Sequence, residues 1–311
     1  MRVVVALGGN ALLQRGERPD AVIQRHHVRQ AAATLAPLAA DHQLVVCHGN
    51  GPQVGMLALE SQADTSLSQP YPLDVLVAQT QGMIGYWLVQ ELSKAGVAQP
   101  TVCVVSQTVV DPSDPAFGHP TKFIGASYDQ SQAQALADRL GWTIAADGPR
   151  WRRVVASPRP LRLVEIATVR SLAAAGVLVV CGGGGGVPVV RSDAGELTGV
   201  EAVVDKDLTS AELAITLKAD RLLVLTDVPA IIDGYGTPDA RPIQAIDTDA
   251  LAAMTFPAGS MGPKVEACLR FVRASGQPAA IGALTDAADI LAGRAGTTIT
   301  PARTSVTEQD R

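Results

Sequence analysis

Two acids and a base stand in succession at Asp205, Lys206 and Asp207. Thr209 followed by Glu212 fits a capping box, which predicts that a helix begins beside this cluster. A cation, two carboxylates and the free N–H groups of a helix N-terminus together suit a magnesium–phosphate complex. An isolated cluster of this kind is more often a solvated loop with a helix cap, so its interpretation depends on the rest of the chain.

Glycines follow three predicted strands, at residues 8–9, 49–51 and 182–186. A glycine turn after a buried strand lets the backbone approach an anion and direct its N–H groups toward it. One such turn is weak evidence, but three at the same edge of a parallel sheet favour a phosphate-binding crevice. Neither common nucleotide motif is present, because Val54 stands where GNGPQVG needs the third glycine of the dinucleotide fingerprint and there is no P-loop.

Lys264 lies in GSMGPKVEACLRFVRASG, where the apolar spacing predicts a helix that starts at Pro263 and ends before Gly276. In the first turn of a helix the macrodipole disfavours a cation, and a lysine placed there is often balanced by an anion. An ordinary exposed lysine is an equally good explanation for this residue alone.

The interval 111–160 is rich in proline, glycine and charge, and it interrupts the alternation of strands and helices. We interpret it as a small lid beside the main sheet, with one helix near residues 129–140. Trp151 and the flanking prolines indicate a stiff segment, so we expect a flap over an anionic substrate. Its cations are Lys122, Arg150, Arg152, Arg153 and Arg159.

The composition of the 311 residues excludes several classes of protein. A hydrophobic content of 47% and a charged content of 18% indicate a well-filled core. The net charge of −5 gives no reason to expect nucleic-acid binding, and no apolar run reaches the roughly 18 residues of a membrane span. The cysteines and histidines lack metal-ligand spacing, and the first residues do not resemble a signal peptide. We therefore expect a cytoplasmic protein without metal-hydrolase chemistry.

Short β-branched runs alternate with helical patterns, which predicts βαβ crossovers. The expected fold class is α/β, with a mostly parallel central sheet between layers of helices and a protruding lid. A break near residues 191–200 divides the chain into an N-terminal lobe, 1–198, and a C-terminal lobe, 199–311. The predicted strands cover 2–10, 43–51, 101–107, 176–186 and 221–228, and the predicted helices cover 20–40, 74–95, 162–175, 209–218 and 263–275.

Nine motifs occur in one order over nearly the whole chain, and together they resemble the bacterial and archaeal carbamate kinases of the amino acid kinase superfamily. Any one of them alone could arise by chance, so the specificity lies in the set. The motifs are ALGGNALL (6–13), CHGNGPQVG (47–55), PLDVLVAQTQGMIGYWL (72–88), PTKFIG (120–125), WRRVVASPRP (151–160), GGGGGVPV (182–189), VEAVVDKDLTSAELA (200–214), LTDV (225–228) and GSMGPKVEA (259–267).

The resemblance implies a homodimer with the amino acid kinase fold that transfers a phosphoryl group reversibly between MgATP and carbamate. Its partners would be small molecules, namely ATP or ADP and carbamate or carbamoyl phosphate. Cells would commonly run the reaction toward ATP after arginine or purine breakdown. The N-terminal lobe would hold the acceptor and the C-terminal lobe the nucleotide, with Mg²⁺ bound mainly through the nucleotide phosphates.

The resemblance also implies roles for individual residues. The acceptor and the transferred phosphate would be held by Gly8, Gly9, Asn10, Gly49, Asn50 and Gly51. The phosphoryl group would be neutralised by Lys122, Lys206 and Lys264, which Asp205 and Asp207 would orient. The nucleotide would contact Gly183, Gly184, Asp227, Tyr235, Met261, Gly262, Pro263 and Lys264.

Ala6 separates the chain from acetylglutamate kinases, which resemble it but have a catalytic lysine at that place. The chain departs from the family pattern at Pro149, Arg150 and Ala156, and these departures bear on lid motion and nucleotide contacts. Two other functions stay open at this point. One is another acid kinase of the same fold, and the other is a regulator that binds nucleotide or carbamoyl phosphate without turnover.

Overall fold

Strands and helices alternate along the chain. The computed structural model describes residues 1–9, 12–14, 16–256 and 260–302. Among these residues the helices are α1 (Ala21–Asp41), α2 (Gly51–Ala63), α3 (Leu73–Lys94), α4 (Gln130–Leu140), α5 (Ile166–Ala174), α6 (Lys206–Thr216), α7 (Thr248–Ala252), α8 (Met261–Ser275) and α9 (Ala287–Leu291). The strands are β1 (Arg2–Leu7), β2 (Gln43–His48), β3 (Thr101–Cys103), β4 (Gln107–Val110), β5 (Lys122–Tyr128), β6 (Thr143–Asp147), β7 (Arg150–Val155), β8 (Pro160–Leu163), β9 (Leu178–Val180), β10 (Val187–Arg191), β11 (Leu197–Gly199), β12 (Arg221–Thr226), β13 (Ile231–Asp233), β14 (Arg241–Ile243), β15 (Ala245–Asp247), β16 (Ala279–Ala283) and β17 (Thr297–Thr300).

In the described part of the chain, eight strands form the main sheet, in the order β15-β17-β16-β12-β1-β2-β9-β3. Neighbouring strands are parallel except for β16 and β17. The central strands are continuous apolar runs, and β1 is fully buried from Val3 to Leu7. Such runs are typical of a parallel sheet that is covered on both faces. The prediction of a mostly parallel central sheet is therefore confirmed.

Helices cover both faces of the main sheet. On one face α1, α3 and α9 pack over Val3, Val5 and Leu7. On the other face α5, α6 and α8 pack over Val4 and Ala6. Because successive side chains of a strand point to opposite faces, β1 contributes to both cores. The predicted sandwich of helices, sheet and helices is confirmed.

A second sheet, which the sequence analysis does not predict, has the strand order β11-β10-β4-β8. Its strands are short, and β4 and β8 pair in the antiparallel direction. Helices α2 and α3 pack against it, with Val54 and Leu76 in one core with Val109 and Val189. This core attaches α2, which follows the second glycine turn, to the body of the protein.

The lid is inserted between β4 and β8. Its strands form an antiparallel sheet in the order β5-β7-β6, and α4 packs on β7. Asp129 and Gln132 form a capping box at the start of α4, and Gly141 ends the helix in the left-handed conformation with φ of 67°. The predicted lid and its helix are confirmed, although its own sheet and helix span only residues 122–155.

Four helix starts differ from the predictions. Helix α5 begins at Ile166 instead of near residue 162, because Pro160–Leu163 form strand β8. The sequence analysis misses α2, because it interprets GNGPQVG as a turn, although proline is well tolerated in the first turn of a helix. Helix α6 begins at Lys206 instead of near residue 209, because Asp205 is its N-cap and Thr209 is not. Helix α8 begins at Met261, two residues before Pro263.

The proposed boundary between the lobes, at residues 198–199, lies within β11, which pairs with β10 as an antiparallel hairpin. Both parts of the chain contribute strands to the main sheet, because β1 pairs with β12. The lobes therefore share one core, and their division remains a proposal about which ligand each part binds. Within the described ranges, every helix is too short or too polar to pass through a lipid bilayer.

Candidate active site

A cleft of ≈ 1320 Å³ opens at the carboxyl ends of β1, β2 and β12, where α/β folds generally bind ligands. It brings together most of the residues that the sequence analysis selects from distant segments. Those that line it are Gly8, Gly9, Gly49, Asn50, Gly51, Lys122, Gly184, Asp205, Lys206, Asp207, Asp227, Tyr235, Met261, Pro263 and Lys264.

Among the described residues, two of the predicted site residues do not join this lining. Gly183 is buried and packs against the side chains of His48 and Gln81. Gly262 lies between two lining residues but is not itself one of them. The position of Asn10, a further predicted site residue, lies outside the described residues.

The first two glycine turns touch each other across the strand ends. A side chain on Gly49 would place its Cβ atom 2.8 Å from the N atom and 2.9 Å from the Cα atom of Gly9. Gly184, with φ of +63°, has no room for a Cβ atom because the side chain of Asn50 lies against it. Backbone surfaces therefore form this wall of the cleft, which is the arrangement that lets N–H groups approach an anion.

Asp205 is both the N-cap of α6 and the partner of the lid lysine. Its Oδ1 atom accepts hydrogen bonds from the N atoms of Asp207 at 2.9 Å and Leu208 at 3.3 Å. Its Oδ2 atom pairs with Nζ of Lys122. Burial favours the neutral acid, but the ammonium groups of Lys122 and Lys206 together lower the pKa of Asp205. The expectation of free N–H groups at this helix start is wrong for Asp207 and Leu208, because the carboxylate already occupies their N–H groups.

Asp207 joins two lysines. One carboxylate oxygen pairs with Nζ of Lys206 and the other accepts from Nζ of Lys264 at 3.1 Å. Although burial favours the neutral acid, the two ammonium groups hold the pKa of Asp207 far below its ordinary range. The side chain is ionised at neutral pH and keeps both lysines in place.

The two lysines respond differently to this environment. Burial lowers the pKa of Lys206, and the Asp207 carboxylate opposes that effect. Burial also disfavours the charged form of Lys264, but the neighbouring carboxylates, led by Asp207, together raise the pKa of Lys264. Lys206 is only 6% exposed, so the alternative of a solvated loop is wrong for this cluster.

We define the charged cluster as Lys122, Asp205, Lys206, Asp207 and Lys264. Its three ammonium and two carboxylate groups leave one net positive charge at the floor of the cleft. Each ammonium has three N–H donors, so each can keep its carboxylate and still bind a further oxygen. Chemically, the cluster is prepared to receive an anion with several oxygens.

His48, at the end of β2, does not add to this positive charge. It is fully buried, and burial lowers the pKa of His48 to about 4. Its Nδ1 atom lies 2.9 Å from the carbonyl oxygen of Gly49, which can only accept, so Nδ1 carries the proton. The neutral ring supports the glycine turn and is a structural residue.

Part of the cleft is apolar, and the sequence analysis misses most of this wall. Tyr235, which it does select, is 78% exposed there. Further apolar lining residues include Val228, Ala230, Ile232, Met254 and Phe256. Apolar residue types alone do not predict a place in a binding site. Only the first three could be predicted to line the cleft, because they follow the carboxyl end of β12.

The lid cations divide into two groups. Lys122, Arg152 and Arg159 line the cleft, as a flap over an anion requires. Arg150 instead donates to the carbonyl oxygen of Ser127 at 3.0 Å, and the guanidinium of Arg153 lies 5.1 Å from the centre of the Trp142 ring. Those two arginines stabilise the lid itself.

Helix α2 supports the lid strand that carries Lys122. A Cβ atom on Gly55 of α2 would collide with the backbone of Gly125 and lie 3.1 Å from the carbonyl carbon of Ile124. Gly125 itself has φ of +70°, which a side chain would strain. Two glycines thus let β5 pass directly over α2, and this contact fixes how far Lys122 reaches into the cleft.

We expect Gly55→Ala to lower the turnover number about 10-fold or more, because the added methyl group must push β5 and Lys122 outward. Overpacking of this kind also costs about 1–3 kcal/mol of unfolding free energy. Turnover, nucleotide binding by calorimetry and urea unfolding measure the two effects.

The matched control is Gly82→Ala on α3, where a Cβ atom has no neighbour within 4 Å. Because alanine favours helices over glycine by about 1 kcal/mol, this control should be more stable and fully active. Equal activity of the two variants would contradict the role given to the contact between α2 and β5.

Comparisons with known proteins agree with this geometry. The model of the amino acid kinase family matches residues 1–283. A carbamate kinase of Rhizobium meliloti (strain 1021) is 48% identical over 310 residues, which cover 99% of this chain and 95% of that protein. The solved structure of a carbamate kinase from Giardia lamblia bound to citric acid has a TM-score of 0.91 at 40% identity, covering 97% of this chain and 98% of that one. A Giardia lamblia carbamate kinase bound to AMP-PNP has a TM-score of 0.86 at 41% identity, with the same coverage.

These matches extend over the main sheet, the lid and the cleft, so they concern the whole arrangement of the site. The protein is therefore an enzyme that transfers phosphoryl groups. The chain belongs to the amino acid kinase family, and within that family to the carbamate kinases.

Proposed function

We propose that this chain catalyses reversible phosphoryl transfer between MgATP and carbamate, with ADP and carbamoyl phosphate as products. The observation that carries the proposal is the charged cluster, which places three ammonium groups beside the glycine turns in one cleft. The relatives named carbamate kinases support the same reaction. The glycines at 8–9 and 49–51, with Asn50 and Asn10, would hold the acceptor and the transferred phosphate.

The lysines would stabilise the transferring group by charge. In phosphoryl transfer the negative charge is spread over the phosphate oxygens, and fixed positive groups lower the barrier. Lys122 approaches from the lid, Lys206 from the start of α6 and Lys264 from the start of α8. Because the three come from separate elements, they can contact different oxygens of one phosphoryl group. Asp205 and Asp207 would keep them oriented before the substrate arrives.

No general base is required for the acceptor. A carboxylate oxygen of carbamate is already anionic and can attack the γ-phosphorus directly. The new bond joins that oxygen to phosphorus, while the bond from phosphorus to the bridging oxygen breaks and its electrons leave with ADP. Neutral His48, held under the glycine turn, is not needed as a proton acceptor.

The nucleotide would lie along the apolar wall. Tyr235, Met261 and Pro263 form part of this wall together with the residues that follow β12. A planar, mainly apolar base suits such a surface, because clefts for small molecules combine apolar walls with a few polar groups. Gly183, Gly184, Asp227 and Gly262 remain proposed nucleotide contacts on the basis of the family resemblance.

Mg²⁺ would enter with the nucleotide. Among the described residues, no group of three or more His, Cys, Asp or Glu side chains is placed to hold a metal ion. Mg²⁺ commonly keeps several waters and binds through substrate phosphates with one or two carboxylates. The site fits that mode, in which the ion supplies positive charge to the phosphates and the protein supplies the lysines.

The test is to mix the purified protein with MgADP and carbamoyl phosphate and to follow ATP by a coupled assay. Rapid formation of ATP is expected. A panel of other acyl phosphates, including acetyl phosphate and N-acetylglutamyl phosphate, should give much slower reactions. If another acyl phosphate of the panel reacts faster, the acid from which it derives is the natural acceptor instead of carbamate. Binding of ADP without any ATP formation would support a regulator and overturn the enzymatic proposal.

We also propose that the enzyme is a cytoplasmic homodimer that works mainly toward ATP in arginine or purine catabolism. The described cysteines are all free thiols, and Cys47, Cys181 and Cys268 are buried, which supports a reducing compartment. Exposed apolar side chains such as Tyr86, at 54%, support a further interface. Sedimentation at several protein concentrations would decide between monomer and dimer.

A further inference from the structure

A buried threonine holds the side chain of Asn50 beneath the second glycine turn. Thr80 lies on α3 and is 0% exposed. Its Oγ1 atom accepts a hydrogen bond from Nδ2 of Asn50 at 2.8 Å and donates one to the carbonyl oxygen of Val77 at 2.7 Å. Both distances are ordinary for strong hydrogen bonds. Thr80 therefore links its own helix to Asn50, a residue that lines the cleft.

The hydroxyl proton of Thr80 decides which way the amide of Asn50 points. A threonine hydroxyl has one proton and two lone pairs. Since the proton is donated to Val77, only the lone pairs face Asn50, and the amide must present its NH₂ group to them. A flipped amide would bring its carbonyl oxygen against the same lone pairs. Thr80 thus selects one of two orientations that have nearly the same shape.

Two further observations describe how the Asn50 side chain is held. Asn50 is the N-cap of α2, yet its side chain makes no capping hydrogen bond, although asparagine is among the residues most favoured for that purpose. On the other side, Gly184 packs so closely against the amide that no Cβ atom would fit there. The amide is therefore held between Thr80 and the third glycine turn, and it lines the cleft.

We infer that Thr80 is a positioning residue, which fixes the amide of Asn50 so that it presents one pattern of donor and acceptor to carbamoyl phosphate. The inference rests on the proposed function, in which Asn50 helps to hold the acceptor and the transferred phosphate. Thr80 itself is buried and touches no substrate. Its effect must pass through Asn50.

The test uses Thr80→Val, which keeps the shape of the side chain and removes the hydroxyl group. We expect the KM and the calorimetric Kd for carbamoyl phosphate to rise about 10-fold. Without the hydroxyl group the amide of Asn50 can flip, and the flipped amide exchanges the positions of its NH₂ donor and its oxygen acceptor. The Kd for ADP should stay unchanged. Thr80→Ser, which restores the hydroxyl group, should return both constants to within about two-fold of the wild-type values. Thr80→Ala serves as a second variant without a hydroxyl group if the valine does not fold.

A double-mutant cycle with Asn50→Ala separates positioning from a general loss of structure. If Thr80 acts through Asn50, Thr80→Val should have no further effect on carbamoyl phosphate binding in the Asn50→Ala protein. Additive effects, or a Thr80→Val protein with normal constants, would overturn the inference. A wild-type protein that binds carbamoyl phosphate but forms no ATP would overturn the proposed function instead, and the binding constants would still decide the role of Thr80.

Discussion

Replacing Lys206 by methionine is expected to lower the turnover number about 1000-fold while the protein remains folded. Fixed donors and cations that contact the transferring group in other enzymes are worth about 10²–10⁵ in rate, and Lys206 lies at the centre of the charged cluster. Methionine has a similar volume and no charge, so the buried site stays filled. Asp207 keeps Lys264 as its partner at 3.1 Å, so no carboxylate is left alone.

The experiment compares the turnover number, the Kd for ADP and the unfolding temperature of the variant and the wild type. The control is Lys218→Met, which makes the same chemical change at an exposed lysine two residues after the end of α6. The control should be indistinguishable from the wild type in rate. A Lys206→Met protein with a rate within a few-fold of the wild type would remove Lys206 from the mechanism.

Much of the main sheet could be predicted from the sequence, because burial restricts the residue types that its strands can contain. Strands such as β1 and β12 are covered on both faces, so their residues must be apolar throughout and the runs end where the chain reaches the surface. Helix α2 offers no such signal. Its first turns contain two glycines and a proline, and its helical state depends on packing Val54 and Ala58 against the second sheet.

In the cleft, the sequence indicates which residues carry the chemistry but not how they pair. Types such as glycine and lysine at strand and helix ends point to an anion site, and the family resemblance suggests their roles. The pairing of Lys122 with Asp205 and of Lys264 with Asp207 joins residues 83 and 57 positions apart. These contacts depend on the lid and α8 being folded onto α6, and local pattern contains no information about that.

The N-cap of α6 shows that a tertiary contact can also override the local sequence pattern over a few residues. Both Asp205 and Thr209 are good N-cap residues, and the capping-box pattern favours the second. The structure uses Asp205, because Thr209 is buried and its hydroxyl group donates to the carbonyl oxygen of Gly185 at 2.9 Å. A contact to the third glycine turn therefore overrides a local preference and moves Lys206 into the first helical turn.

Asp207→Asn is expected to have the largest effect on stability, about 3 kcal/mol of unfolding free energy, because it leaves two buried ammonium groups without their carboxylate. Removing one partner of a buried ion pair generally costs about 3–5 kcal/mol, and the asparagine oxygen retains part of the hydrogen bonding. Turnover should fall as well, since Lys206 and Lys264 lose the group that orients them. The matched control, Asp193→Asn, makes the same change at an exposed turn residue and should leave stability and rate unaltered.

The dependence of stability on pH and its dependence on MgADP distinguish a loss of charge compensation from a general packing defect. Because the folded-state pKa of Asp207 is depressed, its contribution is fully present above the unfolded value near 4 and is lost as the pH falls through the folded value. The stability difference between wild type and variant should therefore shrink below pH 4. Conversely, saturating MgADP supplies phosphate oxygens to the unpaired lysines, so it should raise the unfolding temperature of Asp207→Asn more than that of the wild type. Equal stabilisation of both proteins by MgADP would show that the two ammonium groups do not receive the phosphates.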